Sequence, residues 1–208
     1  FVAGVCAEAT EEPEDCEAVD VPYVMDFETA IVPNMPDCTS VENAGSGNNW
    51  VTTDEAIGDF TGIYLSYEYN SSNQANSWFY TQGINLEAGE SYKVTYDYGS
   101  RAAAAFPENL RVAYGTNAEH TSMTTVLAEH VGILTGGDAI THEVVFTADA
   151  SGVYYFGFNA FSDANKWFLY LDNILIDQTD EEPEPEPEPQ DPCDEKIIME
   201  CGVEYTAD

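Results

Sequence analysis

The sequence predicts an all-β fold, a two-sheet antiparallel β-sandwich of jelly-roll type. Runs of strand length are rich in aromatic and β-branched residues, and several alternate between apolar and polar positions. Clusters of Gly, Asn, Asp and Ser separate these runs at intervals of roughly 10–15 residues, which is typical of a sandwich, whereas a parallel α/β fold needs intervening helices. We predict ten strands: Tyr23–Glu28, Asn49–Thr53, Gly62–Tyr69, Ser77–Thr81, Ser91–Tyr98, Asn109–Tyr114, Thr124–Val131, Thr141–Thr147, Gly152–Asn159 and Lys166–Ile176.

Two of these strands indicate how the sheets are covered. In Tyr92–Tyr98 the three tyrosines and Val94 share one face while polar residues share the other, so one side of this sheet should be buried. In Tyr154–Phe158 both faces are aromatic, which predicts a central strand covered on both sides. Helical pattern is limited to Ala118–Thr125 and Arg101–Ala105, each long enough for only a turn.

An excess of acidic residues limits the partners of the chain. Its 208 residues contain 39 Asp and Glu against 5 Lys and Arg, which gives a formal net charge of −34 and a pI near 4.1. Binding to a phosphate backbone requires basic patches, so we exclude nucleic acid as a direct partner. We also predict no membrane insertion, since no apolar run approaches the ~18 residues that a membrane span requires.

The acidic residues are concentrated at both ends, which indicates a modular organisation. We predict the end of an upstream module and an acidic linker over 1–20, a jelly-roll domain over 21–179, an acidic Pro-rich linker over 180–192, and the start of a following module over 193–208. Proline and neighbouring carboxylates favour an extended, semi-rigid spacer in the second linker. The chain begins at Phe1 with neither an initiator Met nor a signal-peptide pattern, so we expect it to be a piece of a longer polypeptide.

Six motifs follow one another along the chain: Val-Pro-Tyr-Val-Met-Asp-Phe-Glu (21–28), Met-Pro-Asp-Cys (35–38), Gly-Asn-Asn-Trp (47–50), Ala-Asn-Ser-Trp-Phe-Tyr-Thr-Gln-Gly-Ile-Asn-Leu (75–86), Ala-Gly-Glu-Ser-Tyr-Lys-Val-Thr-Tyr-Asp-Tyr (88–98) and Trp-Phe-Leu-Tyr-Leu-Asp-Asn-Ile (167–174). As an ordered set they resemble the choice-of-anchor J, or cleaved-adhesin, domains over residues 21–177. Such domains occur in large secreted or surface-attached proteins of Bacteroidetes-type bacteria, and their jelly-roll sandwich is similar to MAM domains and many carbohydrate-binding modules. The chain has Cys38-Thr39 where many members have a Trp, and Thr81-Gln82 where many have Thr-Pro, so surface specificity is not carried across.

The resemblance implies a structural Ca²⁺ site that links the first and last strands. In similar jelly rolls a carboxylate from each end of the chain binds one ion, and Glu28 and Asp172 are the matching candidates. Asp26 lies two residues before Glu28, hence on the same strand face, and Asp54 with carbonyl groups of the loop 45–54 could complete a shell of about six to eight oxygens. The alternative is that Asp26, Glu28 and Asp172 face solvent or cap strand ends.

Catalytic chemistry has little support in the residue pattern. Glu108 and Glu129 could be imagined as a glycosidase pair, but an acid-rich surface offers many such pairs by chance. His120, His130 and His142 have neither a short metal-ligand spacing nor a nearby Cys, so we expect ordinary strand or loop positions rather than zinc ligands. The sequence contains no G-x-S-x-G motif for a serine nucleophile. We predict that the protein is not an enzyme.

Aromatic side chains offer an alternative function, because their faces stack well on sugar rings. Trp50, Trp78 and Trp167 are candidates, together with the tyrosines at 64, 67, 69, 154 and 155. Strands this aromatic must fill a core, so we predict that Trp78 and Trp167 are buried. Asn, Ser, Gly and Ala make up most of the loops, which suits hydrogen bonding to sugars or proteins without identifying either; these loops are 43–50, 70–76, 99–107 and 160–166.

In a secreted chain the five cysteines should be oxidised where possible, and their odd number fits a segment whose missing partner lies upstream. We predict disulfides Cys193–Cys201 and Cys16–Cys38, which leaves Cys6 to an upstream partner, and Cys6–Cys16 is the alternative.

These observations predict a non-catalytic adhesion or binding module, one repeat of a large secreted or cell-surface bacterial protein, stabilised by structural Ca²⁺. The expected partners are a cell-surface glycan or protein receptor, or neighbouring modules of the same polypeptide. The family likeness also implies type IX secretion. The alternatives are a carbohydrate-binding module appended to a secreted hydrolase, and a spacer domain without a ligand.

Overall fold

A computed structural model describes residues 16–183 of the chain. This part contains twelve strands and one 3₁₀ turn, His120–Ser122. The strands are β1 (Tyr23–Met25), β2 (Ser40–Asn43), β3 (Trp50–Thr53), β4 (Tyr64–Glu68), β5 (Ser77–Tyr80), β6 (Ile84–Leu86), β7 (Ser91–Ser100), β8 (Glu108–Gly115), β9 (Thr125–Ile133), β10 (Ile140–Thr147), β11 (Gly152–Ala160) and β12 (Phe168–Gln178).

The strands form two six-stranded sheets that pack on each other, which confirms the predicted sandwich. The first sheet has the order β10-β7-β12-β4-β3, with β1 beside β12. The second has the order β2-β5-β11-β8-β9, with β6 beside β11. The paired strands are antiparallel throughout both sheets. The first and last strands are therefore neighbours, and Tyr23 lies opposite Ile176.

Sequence and structure differ mainly at short elements. The ten predicted strands do not include β2 and β6, which have only four and three residues and carry little aromatic pattern. β1 ends at Met25 rather than Glu28, because Phe27 takes a left-handed conformation with φ 59° that ends the extended run. The 3₁₀ turn lies inside the predicted helical turn 118–125, whereas 101–105 contains bends without a helix.

The core lies between the sheets and is rich in aromatic side chains. As predicted, the three tyrosines and Val94 of Tyr92–Tyr98 are buried, while the residues between them are partly exposed. Phe156 and Phe158 of β11 are fully buried on the opposite side of the core. The rings of Tyr96 and Phe158 meet edge to face at 5.4 Å, an arrangement worth about 0.5–1.5 kcal/mol beyond the buried area.

The outer face of the second sheet is also covered around β11. A Cβ placed on Gly157 would come within 2.9 Å of Trp78 Cε3 and 2.8 Å of Met123 Sδ, so both side chains lie directly on this glycine. Trp78, Met123 and their neighbours form a separate buried cluster on this face. The prediction that β11 is covered on both faces is therefore confirmed.

A disulfide joins Cys16 to Cys38, with the Cα atoms 5.3 Å apart, and the loop that it closes contains β1. This is the pairing preferred from the sequence. Cys6, the predicted pair Cys193–Cys201, most of both predicted linkers and the predicted start of a following module lie outside the described residues. The domain limits 21–179 remain a prediction. Between residues 16 and 183, no helix has the length and apolar character that crossing a membrane requires.

Candidate functional site

Three of the four carboxylates predicted to bind a cation, Asp26, Glu28 and Asp172, lie where β1 and β12 come together. Asp26 and Glu28 lie after the end of β1, with Glu28 in the turn that the Ala30 N–H closes on the Phe27 carbonyl, so the prediction that they share a strand face is wrong. Between them the Phe27 ring is fully buried and lies 5.4 Å from the Phe79 ring. The left-handed backbone of Phe27 places this ring in the core and leaves both carboxylates exposed. The Glu28 backbone N–H donates a hydrogen bond to Asp26 Oδ1 at 3.2 Å.

Glu28 is held against the segment that precedes β4. The Ile63 N–H donates to Glu28 Oε1 at 3.2 Å. The neighbouring Gly62 has φ 81°, and a Cβ at this position would overlap Glu28 Oε1. Only glycine therefore combines this backbone conformation with space for the carboxylate.

Asp172 is the buried member of the group, with 7% of its surface exposed. A β-bulge follows it in β12, where Asn173 has φ 51° and donates its backbone N–H to Asp172 Oδ1 at 2.8 Å. Burial is the largest cause of a raised pKa of Asp172, about 7. The carboxylates of Asp97, Glu28 and Asp26 raise this pKa further, while the Asn173 hydrogen bond lowers it.

Asp97 joins the group although the sequence did not single it out. It lies opposite Asp172 in the β7–β12 ladder, and its two oxygens accept hydrogen bonds from the Thr141 hydroxyl at 2.5 Å and the Asn173 side-chain amide at 2.9 Å. In the sequence Asp97 is only one polar position of an alternating strand. Asp54, by contrast, is exposed after β3 and is not among the carboxylates that shift the pKa of Asp172.

The chemistry of this group fits a hard cation such as Ca²⁺, which prefers carboxylate and carbonyl oxygens. A divalent ion would stabilise a buried carboxylate that has three like-charged neighbours. As the side chains stand, no three His, Cys, Asp or Glu residues within 16–183 converge closely enough to hold a metal ion. Binding would therefore require Asp26 or Glu28 to rotate toward Asp172.

Two histidines meet where the edge strands of the two sheets face each other. His130 lies on β9 and His142 on β10, with their ring centroids 4.7 Å apart. His130 also stacks on Tyr98 at 4.0 Å, and its Nε2 atom lies 2.7 Å from the Tyr96 hydroxyl. Burial first, and then the charge of His142, lowers the pKa of His130 to about 4. His120 lies elsewhere, in the 3₁₀ turn.

The carboxylate pair considered for catalysis is not assembled. Glu108 is fully buried, and its Oε1 atom accepts the Trp167 backbone N–H at 2.5 Å. Burial raises the pKa of Glu108. Glu129 is exposed on the neighbouring strand and forms an ion pair with Arg111 at 2.5 Å. The two residues therefore serve separate structural contacts.

The tryptophans occupy three different environments. Trp50 is buried and donates its indole N–H to backbone oxygens, and Trp78 is buried as predicted. Trp167 was predicted to be buried but is 39% exposed, because it lies just before β12 rather than within the strand. Its ring packs edge to face with the exposed Phe106 at 6.4 Å, and a hollow of about 190 Å³ lies beside this pair.

A polar cleft of about 510 Å³ opens at one end of the second sheet. Three of the polar loops noted in the sequence, 43–50, 70–76 and 160–166, contribute to its lining, and β8 and β11 supply Arg111 and Asn159. The loops were expected to suit hydrogen bonding. Arg111 and Asn159 were not identified from the sequence, because no local pattern shows that they are neighbours.

Solved structures provide the comparison for this architecture. The K1 cleaved adhesin domain of Lys-gingipain from Porphyromonas gingivalis W83 matches with a TM-score of 0.60 and 18% identity, over 76% of this chain and 98% of that domain. The chain has the fold of a cleaved adhesin domain. The K3 cleaved adhesin domain of the same Lys-gingipain matches with a TM-score of 0.60 and 19% identity, over 74% of this chain and 98% of that domain.

A carbohydrate-binding module shares the same architecture. TmCBM61, solved in complex with β-1,4-galactotriose, matches with a TM-score of 0.50 and 10% identity, over 68% of this chain and 88% of that module. No protein-family model and no curated protein matches the chain. The structural likeness therefore concerns the fold, and membership of the choice-of-anchor J family remains a prediction.

Proposed function

We propose that the chain is a non-catalytic extracellular binding module that serves adhesion as one unit of a larger secreted or cell-surface polypeptide. The polar cleft at the end of the second sheet carries this proposal. Its loops are supported by a sandwich with a continuous aromatic core, which is how rigid scaffolds present recognition loops. A cell-surface glycan or protein receptor is the proposed partner, and neighbouring modules of the same polypeptide are further candidates.

The similar structures support this role. Two of them are adhesin domains of a bacterial Lys-gingipain, and a third is a carbohydrate-binding module solved with a galactotriose. The second candidate function, a carbohydrate-binding module appended to a secreted hydrolase, is favoured by this third likeness. A spacer domain without a ligand is the remaining alternative.

Two features favour an extracellular setting. The Cys16–Cys38 disulfide belongs to a class of bond that persists in oxidising compartments. A net charge of −34 keeps a secreted chain soluble and repels nucleic acid.

We also propose a structural Ca²⁺ ion between β12 and the turn after β1, with Asp172, Glu28 and Asp26 as ligands and Asp54 as a further candidate. The ion would neutralise a carboxylate that burial disfavours as an anion. It would also connect the first and last strands of the domain. Its contribution is to stability, and ligand binding does not use it directly.

The binding role is tested with the full chain on a glycan array and on fixed cells with and without glycosidase treatment. Retention by one sugar class would favour the carbohydrate-binding alternative, and cell binding that survives glycosidase treatment would favour a protein receptor. No retention on either surface, with Ca²⁺ present, would contradict the proposal and leave the spacer.

The calcium proposal is tested by thermal unfolding in excess CaCl₂ and in EGTA. Free Ca²⁺ at about 100 times its Kd should stabilise the fold by about 2.7 kcal/mol. Glu28→Gln and Asp172→Asn should abolish the difference between the two conditions, and Asp54→Asn tests the fourth candidate. Glu87→Gln, which removes an exposed carboxylate elsewhere, is the matched control. Equal melting temperatures in CaCl₂ and EGTA would reject the ion and leave the binding role untouched.

A further inference from the structure

The floor of the cleft comes from two neighbouring strands of the second sheet, β8 and β11. Asn159 of β11 lies opposite Trp78 of β5 on one side and Arg111 of β8 on the other. The residues next to it in the strand, Phe158 and Ala160, are fully buried in the core. Because side chains alternate along a strand, the Asn159 amide points to the outer face of the sheet, where it lines the cleft.

Asn159 has hydrogen-bonding capacity that the protein does not use. Only 2% of the residue is exposed, and its Oδ1 atom accepts no hydrogen bond from any residue between 16 and 183. Buried amide oxygens are nearly always paired, since leaving one without a donor is costly. A donor from a bound ligand would satisfy this oxygen.

Arg111 stands beside Asn159 in a fixed orientation. Its Nε atom donates to Glu129 at 2.5 Å, and its guanidinium lies 4.9 Å over the Phe161 ring. These two contacts hold the guanidinium plane, while its terminal Nη groups donate to none of the described residues. The cleft therefore contains donors that are positioned but unused, next to an acceptor that is also unused.

The rim of the cleft is built before any ligand arrives. The Ala44 N–H donates to the Asn76 carbonyl at 2.9 Å, and the Ala75 N–H donates to the loop after β11 at 2.9 Å. A Cβ on Gly45 would come within 3.0 Å of Asn76 Cβ, so the two loops are in close contact. The amides of Asn73, Gln74 and Asn76 are thus carried on connected loops, which reduces the entropic cost of binding.

We propose that this cleft binds a neutral oligosaccharide. Asn159 Oδ1 is buried in the structure, so the amide must turn toward the cleft before a sugar hydroxyl can donate to it, while the next hydroxyl on the ring accepts from an Arg111 Nη group. Phe161 adds an apolar edge to the lining for ring C–H groups. The cleft volume of about 510 Å³ lies within the range of roughly 300–1,000 Å³ typical of ligand sites. The inference rests on the proposed binding function and adds the ligand class and the site.

Charge and composition favour a neutral oligosaccharide over an anionic glycan and over a protein partner. Within residues 16–183, Arg111 is the one cation that lines the cleft, and Glu129 already pairs with it, so an anionic glycan finds no uncompensated positive charge among the described residues. The net charge of −34 repels anions as well. A protein partner would need large apolar or aromatic anchors, whereas the rim offers amides and small residues.

The test is calorimetric titration of the full chain with neutral oligosaccharides from cellulose, xylan, mannan, laminarin and β-1,4-galactan, and with polygalacturonate and heparin fragments. At least one neutral oligosaccharide should bind, and Arg111→Ala and Asn159→Ala should each weaken its affinity by about tenfold or more. Arg101→Ala, which removes the same charge beside the Trp167 hollow, should stay within about twofold of the unmodified chain. Thermal melts check that each variant folds, and Arg111→Lys replaces Arg111→Ala if needed.

Several results would overturn the inference. Sugar affinity that is unchanged in Arg111→Ala and Asn159→Ala but lost in Trp167→Ala would move the site to the hollow beside Phe106. Preference for polygalacturonate or heparin, or a protein receptor with no sugar binding, would overturn the ligand class while the binding module stands. Absence of any partner would contradict the proposed function itself.

Discussion

Acidification should weaken the contact between β9 and β10 through His130. Burial and the neighbouring His142 lower the pKa of His130 to about 4, whereas an unfolded histidine titrates near 6.5. Because the folded-state pKa is lowered, the stabilising contribution is complete above pH ~6.5 and is lost as the pH falls toward ~4. In that range the unfolded chain takes up a proton that the folded chain does not.

The size of the effect follows from this difference in pKa. A lowering from 6.5 to about 4, at about 1.4 kcal/mol for each pH unit, sets an upper bound of about 3 kcal/mol. His130 is partly exposed, so solvent screening reduces this value. We expect the free energy of unfolding to fall by about 1–2 kcal/mol between pH ~7 and pH ~4 from this residue alone.

The assay is urea unfolding, followed by tryptophan fluorescence, at several pH values between these limits. Many carboxylates titrate in the same range, so the unmodified chain is compared with His130→Gln, whose amide can still hydrogen-bond to Tyr96. His120→Gln, in the exposed 3₁₀ turn, serves as a comparison that loses the contact with Glu42 instead of the one between β9 and β10. Parallel pH profiles for the unmodified chain and His130→Gln would refute the reasoning.

Three further substitutions test the disulfide and the close contacts of two glycines. Cys38→Ser opens the disulfide to Cys16, which spans 22 residues, and should lower the free energy of unfolding in urea by about 3 kcal/mol. Gly62→Ala displaces the flexible Glu28 carboxylate from the Ile63 N–H and strains a positive φ, so it should lower the free energy of unfolding by about 1–2 kcal/mol, with a matching drop in melting temperature. Gly157→Ala pushes a methyl group against the indole that covers it, which should destabilise the fold by about 1–3 kcal/mol and alter the tryptophan emission spectrum.

Glycines in open surroundings provide matched controls for these changes. Gly89 also has a positive φ, but nothing lies within 4 Å of an added Cβ, so Gly89→Ala isolates the backbone effect. Gly152 lies on the same strand as Gly157 with its nearest neighbour at 3.8 Å. If Gly62→Ala were no worse than Gly89→Ala, or Gly157→Ala no worse than Gly152→Ala, the close contacts would not limit stability. If Cys38→Ser were as stable as the chain with the disulfide, closing this loop would not contribute to the free energy of unfolding.

The local sequence pattern correctly predicted the features that depend only on residues close together in the sequence. Alternation along β7 identified the buried face of a long strand, and the paired aromatic faces of β11 identified a strand covered on both sides. β2 and β6 were not predicted, because three or four residues are too few to show the periodicity of a strand. Trp167 looked like part of a strand, but it lies just before β12, where the chain leaves the core.

The parts of the candidate sites that escaped prediction depend on which strands are neighbours. The family likeness pointed to Glu28 and Asp172, with Asp26 beside Glu28, and in the structure the charges of Asp26 and Glu28 act on Asp172. Asp97 was recognised as a member of the carboxylate group only from the pairing of β7 with β12. The same holds for Asn159, because its place beside Arg111 requires β11 to lie next to β8.

The disulfide also changes how mechanical load would pass through the molecule. Because β1 and β12 are antiparallel neighbours, tension on the chain before β1 and after β12 would peel them apart one hydrogen bond at a time. The sulfur bridge diverts a pull arriving at Cys16 directly to Cys38, just ahead of β2. β1, Asp26 and Glu28 therefore lie outside the force-bearing path. The first strand and these proposed ion ligands keep their positions, and the load passes to the second sheet.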